Sequence, residues 1–243
     1  MDALIVGAGA MGRWFAESID ATVAFADADE AAAREAASRI GGRPVALDAD
    51  EKFDVVCFAV PISAVETSVE THAEKATTAV IDVSGVMAAP LASMAEHAPE
   101  RERLSLHPLF GPDNAPGNVA VVVEEPGPVT DEIRRQLSGQ GNALFETTPE
   151  RHDDAMASVQ ASAHAAVLAF ALAAEPVPEE FYTPIFEELA GLVEQVTDGT
   201  PRVYAEIQST FEGATDVAAA ANRIAAADPE AFERLYREAG ETW

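Results

Sequence analysis

A short apolar run from Ala3 to Val6 meets Gly7-Ala8-Gly9-Ala10-Met11-Gly12, and Met11 to Ile19 then carries apolar residues at helical spacing. Strand, glycine turn and helix in that order constrain this chain more than any other feature it has. Gly7 permits a tight turn, Gly9 lets the backbone approach a pyrophosphate, and Gly12 lets helix and strand pack closely. The phosphates then face the positive end of the helix, where N–H groups lack intrahelical partners. The motif thus predicts that Gly7, Ala8, Gly9, Ala10, Met11 and Gly12 hold a dinucleotide, the alternative being glycine as mere turn punctuation.

Val23 to Ala26 reads as the next strand and ends at Asp27, about 20 residues past the start of the motif, where a carboxylate accepts hydrogen bonds from ribose hydroxyls. This favours NAD over NADP. A 2′-phosphate would meet like charge, and Arg34 is the nearest basic residue along the following helix. Asp29 is the competing candidate for the ribose.

Ala28 to Ile40 reads as a helix stopped by Gly41-Gly42, and further strands are expected at Asp54 to Val60, Ala79 to Val83 and Leu104 to Leu106. Asn118 to Val123 and Asn142 to Glu146 extend the sheet, with a helix near Thr130 to Leu137 between them. After Thr148 the alternation stops. Pro149 and Glu150 open an alanine-rich helical stretch to about Ala174, and Pro176, Pro178, Pro184, Pro201 and Pro229 divide the remainder into helices. The fold class expected is α/β, a Rossmann-type doubly wound sheet followed by an all-α C-terminal domain. The domains expected are residues 1–150 for the dinucleotide and 151–243 for substrate and dimerisation.

With 48% hydrophobic and 23% charged residues, the composition is globular and excludes a disordered or fibrous chain. Asp and Glu outnumber Lys and Arg 42 to 15, a net charge of −27, so the surface repels nucleic acid. Lys52 and Lys75 are the only lysines. That depletion points to a halophile's cytoplasm, where molar salt shortens the Debye length to about 3 Å, although an ordinary acidic protein is the alternative. Cys57, the single cysteine, lies in an apolar run, which fits a reducing compartment. No apolar stretch reads as long enough to span a bilayer, which takes roughly 18 residues, and the N-terminus enters a strand at once. A cytoplasmic chain without a membrane partner is therefore expected.

Leu106-His107-Pro108-Leu109-Phe110-Gly111-Pro112-Asp113 places a histidine at a strand end, where an open α/β sheet presents its ligand crevice. HPLFGP resembles a segment of the prephenate/arogenate dehydrogenase family, and the acidic composition makes it similar to a halophilic archaeal type. Other stretches share the resemblance. Ala59-Val60-Pro61 is similar to the strand-end proline beside the nicotinamide, and Val80-Ile81-Asp82-Val83 to the strand before a serine-containing substrate loop. Arg151-His152-Asp153-Asp154-Ala155-Met156, with Val159-Gln160 and His164, resembles the family's H-D-x-x-M-x-x-x-Q-x-x-x-H helix. Tyr182 to Phe186 and Val203 to Gln208 also look similar.

The resemblance implies an NAD-dependent oxidative decarboxylation of prephenate or arogenate in tyrosine biosynthesis, by a homodimer. His107 would take the ring hydroxyl's proton, a task suited to neutral imidazole. Val60 and Pro61 would flank the cofactor, and His152, Gln160 and His164 would line the substrate pocket. Gln160 and His164 share a helical face. Metal binding there, or histidines satisfied by helix packing, are the alternatives.

Two departures stand out. Aligned on Asp82, Gly85 and Met87 occupy the family's serine and lysine positions, leaving Ser84 one residue early as the candidate catalytic serine. Glu187 stands where several bacterial members carry a carboxylate-binding arginine, so either Arg151 or Arg202 takes that part or Glu187 recognises an ammonium, as on arogenate. The rival readings are a dinucleotide-dependent reductase of another small substrate and a catalytically impaired nucleotide sensor.

Overall fold

A computed structural model describes residues 1–241, so the last two residues of the expected helical domain lie outside the described residues. The chain divides into two compact units, residues 1–153 and residues from 154 onward. The division falls three residues beyond the change in sequence character at 150.

The first unit is an eight-stranded sheet between two helical layers. Its strands are β1 (Asp2–Val6), β2 (Thr22–Ala26), β3 (Arg43–Pro44), β4 (Phe53–Phe58), β5 (Ala76–Val83), β6 (Glu102–Pro108), β7 (Asn118–Glu125) and β8 (Ala143–Glu146). They lie in the order β3-β2-β1-β4-β5-β6-β7-β8. Pairing is parallel from β3 to β6, turns antiparallel at β6–β7, and is parallel again between β7 and β8. The order reverses across β1, the place where a doubly wound sheet opens its ligand crevice.

Central strands buried on both faces read as continuous apolar runs, so Asp54 to Val60 and Ala79 to Val83 stand out in the sequence, although β4 stops at Phe58 and β5 also takes in Ala76 to Thr78. Helices α1 (Ala10–Ser18), α2 (Glu30–Ile40) and α5 (Pro128–Gly139) bring Trp14, Phe15, Ala33, Ile133 and Leu137 to one face of the sheet. Helices α3 (Val65–His72) and α4 (Ala88–His97) bring Val65, Val69, Leu91 and Met94 to the other. Each large side chain so buried contributes about 1.5–3 kcal/mol. Gly41 ends α2 with φ +92°, a left-handed cap that glycine adopts without strain.

Helix α6 (Pro149–Met156) closes the first unit and enters the second, which continues with a π-helical turn (Ala157–Ser162) and α7 (Ala163–Ala173). There follow α8 (Pro184–Thr197), α9 (Pro201–Thr210), α10 (Gly213–Ala225) and α11 (Pro229–Glu241). Pro184 and Pro201 lie in the first turns of α8 and α9, where a missing N–H costs nothing. Within this unit Gly213 meets the π-turn so closely that a Cβ there would lie 2.2 Å from Ser162 N. One expectation needs correction. Pro149–Ala173 is a helical run of 25 residues long and apolar enough to cross a bilayer by length and composition. Its alanines supply the apolar character although each is small, so no block of large hydrophobic residues marks it in the sequence. Such a helix is by itself weak evidence for a membrane.

Candidate functional site

The strand registers align Val6, Phe58, Asp82 and Ser105 in one row across β1, β4, β5 and β6. The residues just beyond that row are Gly7, then Ala59 to Pro61, then Ser84 and Gly85, and finally His107. The sheet thus delivers the glycine loop, the strand-end proline and the histidine to one edge.

At the loop, Gly7 has φ +103°, and a Cβ on it would lie 2.2 Å from Ala59 O and 3.2 Å from Val60 Cγ1. A Cβ on Gly12 would lie 2.0 Å from Gly7 O, whereas nothing stands within 4 Å of one on Gly9. Gly7 and Gly12 therefore serve the turn and the helix contact, and Gly9 leaves an open approach. Helix α1 starts at Ala10 with no side-chain cap and no acidic residue in its first turn. In a chain this acidic, an uncapped positive helix end fits a pyrophosphate. Met11 packs partly buried against the core.

Asp27 Oδ2 accepts from Ala8 N at 2.8 Å and Oδ1 from Asp29 N at 2.9 Å, so this carboxylate braces the loop. Asp29 is instead the N-cap of α2, accepting from Ala31 N at 2.9 Å. Sequence spacing alone left these two aspartates in competition, and both carboxylates accept backbone N–H bonds.

His107 is 7% exposed at the end of β6. Burial, reinforced by neighbouring His152 and opposed by Asp153, lowers its pKa to about 3, so the ring is neutral near pH 7. Its Nδ1 lies 2.8 Å from His152 Nε2, and His152 Nδ1 lies 2.7 Å from Asp153 Oδ1. Asp153 also accepts from the backbone N–H groups of Met87 and Ala88 at the start of α4, at 3.0 and 3.2 Å. Burial alone would raise this carboxyl's pKa, but the bonds from His152, Met87 and Ala88 outweigh it and hold the pKa low. His152, expected among substrate-binding residues, is 3% exposed between His107 and Asp153. The chain Asp153–His152–His107 was not legible, because nothing in the spacing shows that α6 returns to the end of β6.

Ser84, expected to act beside His107, has its hydroxyl 3.2 Å from Asp82 Oδ2 and 3.0 Å from Val86 O. The position facing His107 is Gly85, where a Cβ would lie 4.0 Å from His107 Nε2. Asp82 is wholly buried with Ser105 Oγ 3.0 Å from the same Oδ2, and burial lifts its pKa to about 7 against the restraint of those hydroxyls.

In the second unit, His164 stacks edge-on against Tyr204 at 4.8 Å, and its burial lowers its pKa. Gln160 belongs to the π-turn, a form of helix common at functional sites. Gln208 donates to Ala161 O at 2.8 Å. Glu187 is exposed in the first turn of α8, where a carboxylate complements the helix dipole. Arg202 is paired with Glu206 at 2.9 Å, and Arg151 is exposed.

Residues 13–122 match the family described as prephenate dehydrogenase, nucleotide-binding domain. The chain is 29% identical over 261 residues to 4-amino-4-deoxyprephenate dehydrogenase of Streptomyces pristinaespiralis, covering 97% of this chain and 88% of that relative. It is 24% identical over 225 residues to a probable arogenate/prephenate dehydrogenase of Methanocaldococcus jannaschii, with 84% of this chain matching 50% of the relative. Among solved structures, the prephenate dehydrogenase of A. aeolicus in complex with hydroxyphenyl propionate and NAD+ superposes with TM-score 0.75 at 17% identity, covering 100% of this chain and 96% of that one. Synechocystis arogenate dehydrogenase gives TM-score 0.65 at 17% identity, covering 100% and 98%. These prephenate dehydrogenase-type structures share the fold of this chain.

Proposed function

We propose that the chain is an NAD-dependent dehydrogenase that oxidatively decarboxylates a prephenate-class acid. The observation that carries this reading is the buried, neutral His107 on the same sheet edge as the glycine loop. NAD accepts a hydride when bound, and Gly7, Ala8, Gly9, Ala10, Met11 and Gly12 with Asp27, Val60 and Pro61 would hold it. His107 Nε2 takes the proton from the substituent on the ring carbon that loses the hydride. The departing carboxylate leaves as carbon dioxide, and its bonding pair enters the ring, which becomes aromatic. Because aromatisation drives the reaction, the protein's main work is positioning. The family resemblance alone assigns Gln160 and His164 to the substrate.

Prephenate, arogenate and the 4-amino analogue acted on by the Streptomyces relative differ in whether hydroxyl or amine sits on that ring carbon and in the side chain. Each should be mixed with NAD, and separately with NADP, at high salt. Reduced cofactor and carbon dioxide in equal amounts with one of them supports the reading; dinucleotide binding without turnover on any supports the sensor reading instead.

The setting we propose is the cytoplasm of a halophilic archaeon, supported by the charge of −27 and by a buried, unpaired Cys57. We propose a homodimer built on the helical unit. Its α7 is apolar yet has no buried residue, and Leu172 is 89% exposed, with Phe181, Ile185 and Tyr236 exposed as well. Light scattering in molar potassium chloride should give twice the monomer mass.

A further inference from the structure

We propose that Asp153 and His152 are positioning residues that fix which nitrogen of His107 carries its proton, making Nε2 the atom that accepts the substrate's proton. The inference rests on the catalytic reading of His107 given above. An ionised carboxylate only accepts hydrogen bonds, so across the 2.7 Å contact with Asp153 Oδ1 it is His152 Nδ1 that donates. The two N–H groups at the start of α4 hold that carboxylate in its charged form and in place. For two neutral rings, each with one proton, His152 Nε2 is then an acceptor. The 2.8 Å contact with it is completed only by a proton on His107 Nδ1. A neutral imidazole protonated at Nδ1 presents its lone pair at Nε2. That nitrogen faces Gly85, on the edge of the sheet where the glycine loop also lies.

The same chain helps the charged state. When His107 takes a proton at Nε2, the imidazolium keeps Nδ1–H on His152, and the line ends in a carboxylate that offsets part of the cost of a buried cation. No proton has to leave through Nδ1. Asp153 and His152 thus act on His107 without touching substrate.

The test is the nitrogen-15 spectrum of histidine-labelled, ligand-free protein at pH 7, with the His107 signals assigned by their loss in His107→Asn. Protonation of His107 at Nδ1 and not at Nε2 is expected; protonation at Nε2 overturns the proposal even if no other variant folds. Asp153→Ala should give a mixture of the two forms and lower kcat by about 10² or more, as wrong tautomers do elsewhere, with dinucleotide affinity unchanged. Retention of both the wild-type spectrum and kcat in Asp153→Ala also overturns it. His152→Gln, whose amide oxygen can accept the same bond, should keep more of kcat than His152→Leu. The spectrum needs no substrate, so the two readings separate: the expected spectrum together with normal turnover in His107→Asn would overturn the catalytic reading alone.

Discussion

Gly85 faces His107: a Cβ placed on it would stand 4.0 Å from His107 Nε2 and 3.3 Å from Ile62 Cδ1. Gly85 itself puts no side chain there, at the position where the family resemblance expects a serine. Gly85→Ser should fold, since the end of Ile62 can shift, and should keep kcat/KM within about tenfold. Gly85→Val, whose branched side chain fills the approach to Nε2, should lower kcat/KM by about 10², the scale of an ångström's misplacement. Steady-state kinetics of both variants check this, and an undiminished Val variant would remove Nε2 from the substrate's path.

We propose two duties for Asp27: its carboxylate braces Ala8, and its spacing from the glycine loop assigns it to the ribose as well. Asp27→Ser should weaken NAD binding by about tenfold, on the scale of one charge-assisted hydrogen bond, and shift the NADP/NAD preference toward NADP. Calorimetric titration with both cofactors measures it; an unaltered ratio would return the ribose to Asp29.

Asp82 links stability to alkaline pH. Its folded pKa near 7 lies above its ordinary value of 3.8, so its favourable contribution is complete below pH 3.8 and disappears as pH rises through about 7. Asp82→Asn should therefore gain stability relative to wild type as pH rises from 4 to 8. Denaturant melts across that range test this, and a constant difference between the two proteins would contradict it.

His107 has the opposite sign. With a folded pKa near 3 against an ordinary 6.5, its contribution is complete above pH 6.5 and is lost as pH falls toward 3. His107→Asn should lose less stability than wild type between pH 7 and pH 5, and equal losses in melts at those two pH values would mean that the ring is not held neutral by burial.

The glycine loop, Asp27 and the strands were legible because each is written locally, in a short apolar run or a fixed spacing after a turn. Helix α3 escaped notice because its apolar residues are few and interrupted, as in VETSVETH, and helix α4 because small alanines and an early proline blur its period in AAPLASMAEH. β3 has two residues and no pattern to read. Part of the site was also hidden. His107 stood out through its proline-rich segment, but its tie to His152 joins residues 45 positions apart, and only the return of α6 to the end of β6 creates it. Ser84 was the nearest hydroxyl in sequence, yet in the bend that follows β5 it bonds Asp82 and Val86 O, and Gly85 lies before the histidine.

The most direct measurement is single-turnover formation of reduced cofactor in molar potassium chloride, by wild type and His107→Asn, with dinucleotide affinity measured on the same samples. Wild type should form reduced cofactor on addition of a prephenate-class acid, and His107→Asn should form it about 10² to 10⁴ times more slowly at unchanged affinity. Equal rates in the two proteins, or no uptake of dinucleotide by wild type, would contradict a pyridine nucleotide on the glycine loop working with the imidazole of His107.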